Sequence, residues 1–133
     1  MEFVTESPQE TQRLGEKLAP KLKNRTIALF GELGAGKTHF IQGLAAGLGI
    51  KKRILSPTFI FIRPYTQENF YHVDLYRAEN SADIKRLGLE EILSEKATIA
   101  IEWPEKIIDK LQNPIKIYFE KIGENTRRIK VSG

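Results

Sequence analysis

"FGELGAGKTHF", from Phe30 to Phe40, sets three glycines within six positions and follows them with a lysine and a threonine. Glycine loses more backbone freedom on folding than any other residue. A loop that concentrates it has a task that a Cβ would obstruct. From Gly31 the stretch matches G-x-x-x-x-G-K-[ST]: Gly31, then Glu32, Leu33, Gly34 and Ala35, then Gly36, Lys37 and Thr38. Glycines in this pattern let successive backbone N–H groups turn inward around a phosphate. A helix that begins where the loop ends presents its free N–H groups and positive dipole end to the same anion. Lys37 is placed to reach the outer phosphates, and the Thr38 hydroxyl suits a magnesium ion. The expected ligand is a nucleoside triphosphate.

The flanks have the required context. "RTIALF" (Arg25 to Phe30) reads as a short buried strand. "KTHFIQGLAAGLG" carries Phe40, Ile41, Leu44, Ala45 and Leu48 at helical spacing, with Gly49 placed to end the helix. Further out, "EFVT" is a strand. "SPQETQRLGEKLAPKL" is a helix with Ser7 as N-cap, Pro8 at its first position and Glu10 as capping-box acid. "FIFIRPY" and "ENFYHVDLY" read as paired strands, "SADIKRLGLEEILS" as a helix capped by Ser81, and "ATIAIEW" as a second buried strand. "PIKIYFEK" and "TRRIKVS" form a closing hairpin. The expected fold is α/β: residues 1–133 as a single P-loop NTPase-like domain, with a mostly parallel central sheet flanked by helices and a C-terminal β-hairpin.

Composition narrows the classes. The chain has 133 residues, 41% hydrophobic and 29% charged, as expected of a globular protein with a core. No apolar run approaches the ~20 residues of a membrane helix. "MEFVTESPQE" is acidic and polar, unlike a signal peptide, so a cytoplasmic location is expected. Zero cysteines exclude disulfides and thiolate metal sites, and only His39 and His72 are available for imidazole ligation. The net charge of +4 is ordinary for a solvated surface and by itself assigns no nucleic-acid partner. The D-x-x-G segment of GTPases and their guanine-reading N-K-x-D segment are missing, as is the arginine-rich lid of small-molecule kinases. A compact ATPase or an ATP-gated binding module remains.

Magnesium on such a loop needs a second protein oxygen, typically an acid at the end of a neighbouring buried strand. Two acids qualify. Glu102 follows the apolar run "ATIAI", and Asp74 sits in "YHVDLYR", where Arg77 is also close enough to pair with it. With both in play, one holds magnesium and the other orients water or senses the terminal phosphate. Trp103, the only tryptophan, follows Glu102 and precedes Pro104. It packs the strand end or lies over the nucleotide. In "SPTF", Ser56 and Thr58 either bond phosphate as switch loops do or make local turn bonds.

"GELGAGKT", "SPTF", "YHVDLYR", "LGLEE" and "IEWPE" occur in this order. Together they strongly resemble the TsaE (YjeE) family, bacterial ATPases of tRNA threonylcarbamoyladenosine biosynthesis, over nearly the whole chain. The resemblance implies a P-loop sheet of unusual strand arrangement that binds ATP with Mg2+. It makes Thr38 and Glu102 the magnesium ligands and Asp74, with Lys37, the catalytic pair. It puts Trp103 close to the nucleotide and brings in an N-terminal segment, here Ser7 to Thr11, and a C-terminal arginine, here Arg127. It implies association with a TsaB–TsaD heterodimer, whose TsaD subunit modifies the tRNA, so that tRNA is met indirectly. ATP binding then favours assembly, hydrolysis resets the complex, and turnover by the chain alone is weak. One departure is His39, where the familiar loop has a second threonine; an imidazole there alters nucleotide affinity or its pH dependence. The alternatives are a stand-alone small-molecule kinase and a module that uses ATP only as a structural ligand.

Overall fold

The computed structural model describes residues 1–52, 54 and 62–133. The chain folds as β1 (Glu2–Thr5), α1 (Pro8–Leu22), β2 (Thr26–Phe30), α2 (Lys37–Gly47), β3 (Ile62–Tyr65), β4 (Phe70–Asp74), α3 (Ser81–Arg86), α4 (Leu89–Leu93), β5 (Thr98–Glu102), β6 (Ile115–Lys121) and β7 (Arg127–Ser132). The strands form one sheet in the order β1-β7-β6-β2-β5-β4-β3. Its centre, β6-β2-β5-β4, is parallel. Antiparallel pairs flank it: β3 on β4 at one edge, the β6–β7 hairpin and β1 at the other. The closing hairpin therefore extends the sheet itself, and β1 then pairs with its last strand. "SPTF" and the first part of "FIFIRPY" lie outside the described residues.

Period-2 alternation divides the core. Ile27 and Leu29 of β2, with Ile117, Phe119 and Ile129, face the layer made by α1 and α2. Val73, Ile99 and Ile101 face the other way, toward Ile84, Leu89 and Ile107. In α2, the buried residues are Phe40, Ile41, Leu44 and Ala45 at the expected spacing. The helix ends at Leu48, and Gly49 just beyond has φ 89°.

The helix starts are chemically determined. Ser7 Oγ accepts from Glu10 N at 3.1 Å, and Pro8 begins α1. Glu10 reaches back to Glu6 N at 3.1 Å, one residue before the N-cap. Two expectations are corrected. "SADIKRLGLEEILS" is two short helices, because Gly88 adopts φ 70° between them. The cap of α3 is Asn80, whose Oδ1 accepts from Asp83 N at 3.0 Å, and Ser81 is the first helical residue. An Asn–Ser sequence offers two adjacent capping residues, and both types are favoured there.

Candidate functional site

The glycine loop lies between the C-terminal end of β2 and the first turn of α2. Gly31 has φ 151°, and a Cβ there would lie 2.9 Å from the Phe119 carbonyl oxygen, so only glycine fits. Gly36 has φ 102° and stands as N-cap of α2 with no side-chain cap. No acidic side chain occupies the first turn of that helix. Its first N–H groups and dipole end are left for an external anion.

A cleft of about 260 Å³ opens at this helix end. It is lined by Leu33, Gly34, Gly36, Lys37, Thr38 and His39 from the loop and α2, and by Glu102 from β5. The opposite wall is Ser7, Pro8 and Thr11 of α1 with Asn125 and Arg127 of the hairpin. Thr11 and Arg127, expected near the nucleotide, both line this cleft beside Gly36. Thr11 Oγ1 shares a hydrogen bond with Thr5 Oγ1 at 2.7 Å. The Arg127 guanidinium donates to Gly34 O at 2.9 Å and to the carbonyls of Gly123, Glu124 and Thr126. That guanidinium ties the hairpin turn to the glycine loop.

Lys37 is 4% exposed. Its ammonium donates to the Gly31 carbonyl and lies 3.9 Å from the centroid of the Trp103 ring. Burial pulls its pKa below the usual lysine value, while the charges of Glu102, Asp74 and Glu105 oppose that pull. Trp103 holds the left-handed conformation, φ 56°, between Glu102 and Pro104, a costly backbone for a non-glycine residue. Its ring meets that of Tyr76 at 5.0 Å. Trp103 thus packs against Lys37 and is not among the residues that line the cleft.

Asp74 and Glu102 stand opposite each other at the ends of the parallel strands β4 and β5. Asp74 Oδ1 accepts from Tyr76 N at 2.9 Å. Burial raises the Asp74 pKa, the Tyr76 N–H opposes this, and the Glu102 charge adds to the rise. Glu102 is 4% exposed, and its Oε2 lies 2.7 Å from Nε2 of His72, which is fully buried. Among the described residues no group of three His, Cys, Asp or Glu side chains forms a freestanding metal site. A buried carboxylate and the Thr38 hydroxyl in one cleft instead suit a cation that takes its other ligands from phosphate and water.

His72, Lys106 and Asn125 were not anticipated. His72 had a signal: two residues before Asp74, it shares that residue's strand face. Lys106 donates to the carbonyls of Leu75 at 2.9 Å and Tyr76 at 3.3 Å, and to that of Ala78, clamping the loop after Asp74. Asn125 lies in the turn between β6 and β7, where the hairpin brings it to the cleft.

By class, then, the chain is a P-loop nucleotide-binding protein of α/β fold. Comparison with known proteins gives its family. The model described as "Threonylcarbamoyl adenosine biosynthesis protein TsaE" matches residues 5–129, and the chain belongs to the TsaE family. It is 35% identical over 133 residues to the tRNA threonylcarbamoyladenosine biosynthesis protein TsaE of Bacillus subtilis, covering 97% of this chain and 83% of that one. The protein of the same name from Treponema pallidum is 33% identical over 135 residues, covering 99% and 100% respectively. Among solved structures, Bacillus subtilis YdiB superposes with a TM-score of 0.81 at 29% identity, over 98% of this chain and 83% of that one.

Proposed function

We propose that the protein is a magnesium-dependent ATPase that serves tRNA threonylcarbamoyladenosine (t6A) formation, acting with a TsaB–TsaD heterodimer and resetting it between catalytic cycles. The observation that carries this reading is one cleft in which an uncapped helix N-terminus, Lys37, Thr38 and the buried Glu102 converge. The role in t6A formation comes from the named relatives.

Each residue has a chemical part. Backbone N–H groups of residues 31–39 hold the phosphates. Lys37 leaves the Gly31 carbonyl for the outer phosphates, and Arg127 and Thr11 close the opposite wall. Thr38 and Glu102 would hold magnesium, which when bound would neutralise charge on the transferred phosphoryl group. Asp74, kept partly buried beside Glu102, orients the attacking water. Its raised pKa favours accepting a proton near neutrality more than an ordinary aspartate does. A cytoplasmic location suits a protein that serves tRNA modification.

Small-molecule phosphorylation has no comparable support. A second cavity, larger at about 490 Å³, opens beside Thr26 and Leu89, at the opposite end of β2 from the glycine loop. An acceptor bound there is out of reach of the phosphates.

The test is ATP hydrolysis with magnesium, alone and with TsaB and TsaD. Slow turnover alone, stimulation by both partners, and a loss of roughly 10²–10³-fold in kcat for Lys37→Ala are expected. Fast turnover that the partners do not change would count against the reading.

A further inference from the structure

His72 is fully buried on the face of β4 that carries Phe70 and Asp74, and it looks toward the α1–α2 side of the sheet. Its Nε2 lies 2.7 Å from Glu102 Oε2. Its Nδ1 is buried and has no hydrogen-bond partner among the described residues. A polar ring with one nitrogen unsatisfied is a poor choice for a strand whose next residue, Val73, and neighbour Ala100 are apolar and buried. An aliphatic side chain would leave the buried Glu102 carboxylate without this partner. The Glu102–His72 pair is thus kept despite one unsatisfied ring nitrogen, and local rules are broken chiefly at working sites.

We propose that His72 is a positioning residue that fixes the Glu102 carboxylate for magnesium. The inference rests on the reading of Glu102 as the carboxylate that meets the cation. A carboxylate accepts, so Nε2 is the donor and carries the shared proton. In that tautomer Nδ1 has only a lone pair to leave unpaired, whereas the other tautomer would bury an unpaired N–H. One oxygen of Glu102 is thereby pinned, and the carboxylate loses its rotation about the terminal bond. Carboxylates and imidazoles that bind metals are commonly oriented by such outer partners, and loss of the partner weakens the metal rather than the rest of the ligand.

The experiment follows magnesium binding rather than turnover. The protein is loaded with a non-hydrolysable ATP analogue, magnesium is titrated, and Trp103 fluorescence and heat are recorded. Binding of the analogue in EDTA is measured alongside. His72→Leu should raise the magnesium concentration for half-saturation by roughly 10–100-fold, with the EDTA affinity unchanged. His72→Gln, whose amide donates from nearly the same place as Nε2, should recover most of the loss. A His72→Leu curve that overlays wild type, or a His72→Gln protein as weak as His72→Leu, overturns the proposal. Glu102→Gln separates the two readings. If it leaves the magnesium curve unchanged, the assignment of Glu102 to the cation has failed and this inference falls with it. If it weakens magnesium while His72→Leu does not, only the inference has failed. Should His72→Leu not fold, long-range 1H–15N spectra of the wild-type imidazole decide. A proton on Nε2 supports the proposal, and a proton on Nδ1 overturns it.

Discussion

The residues around Lys37 bring two carboxylates and one ammonium out of water together. Asp74 carries the clearest cost. Its pKa is raised in the folded protein, chiefly by burial, so the native state binds that proton more tightly than the unfolded chain does. The sign follows: ionised Asp74 destabilises the fold at neutral pH, and the penalty fades as pH falls through the raised pKa. Asp74→Asn should therefore melt higher than wild type at pH 7, with the difference shrinking toward acid pH, while hydrolysis is lost. Thermal melts across pH check this, and a lower Tm for the variant at pH 7 would contradict it. By contrast, Leu33 is 68% exposed on the glycine loop, and Leu33→Ala should change stability by no more than about 0.5 kcal/mol. At this scale the sequence is most readable where one residue type has one chemical use. Gly31, Lys37 and Thr38 declared themselves by spacing, and Glu102 by the apolar run before it. His72 was signalled only by its strand face shared with Asp74; its contact with Glu102 lies thirty positions away in sequence.

The elements show what local patterns conceal. Helices α1 and α2 approach so closely that a Cβ on Gly43 would sit 1.7 Å from the Gln12 carbonyl oxygen, and one on Gly15 would sit 2.2 Å from the Phe40 carbonyl oxygen. These are backbone atoms and cannot swing aside. Gly43→Ala should lower stability by about 1–3 kcal/mol in denaturant unfolding, despite the better helix propensity of alanine. An unchanged midpoint would mean the helices separate at no cost. Since α2 begins at the phosphate loop, this packing sets where the loop stands relative to the Thr11 wall. A second device is the Lys106 clamp on the carbonyls of Leu75, Tyr76 and Ala78. Lys106→Met should leave nucleotide affinity near wild type and lower kcat, because it frees the loop that follows Asp74. Equal kcat would show that the clamp serves only packing. All seven strand segments were legible from alternation and turn residues. The break at Gly88 was not, since the apolar spacing of "DIKRLGLEEIL" runs on across it and only the backbone turns.

Across the whole molecule, strand order assembles what sequence distance separates. β5 lies between β2 and β4, so the glycine loop, Glu102 and Asp74 share one end of adjacent parallel strands, where α/β sheets place their ligands. On the other side, β7 pairs with β6 and β1, which delivers Arg127 and the start of α1 to the same cleft. That closure needs a full ladder of long-range pairings, and no local pattern states it; only the family resemblance pointed to Thr11 and Arg127. The same layout gathers the glycine loop, Glu102 and the Thr11–Arg127 wall around one cleft. The most direct measurement is t6A formed in tRNA per TsaB–TsaD complex, with the threonylcarbamoyl donor supplied and this protein added as wild type or Lys37→Ala. The account predicts repeated rounds with wild type and ATP, and arrest near the first round with Lys37→Ala. Equal, repeated turnover with both proteins would contradict it.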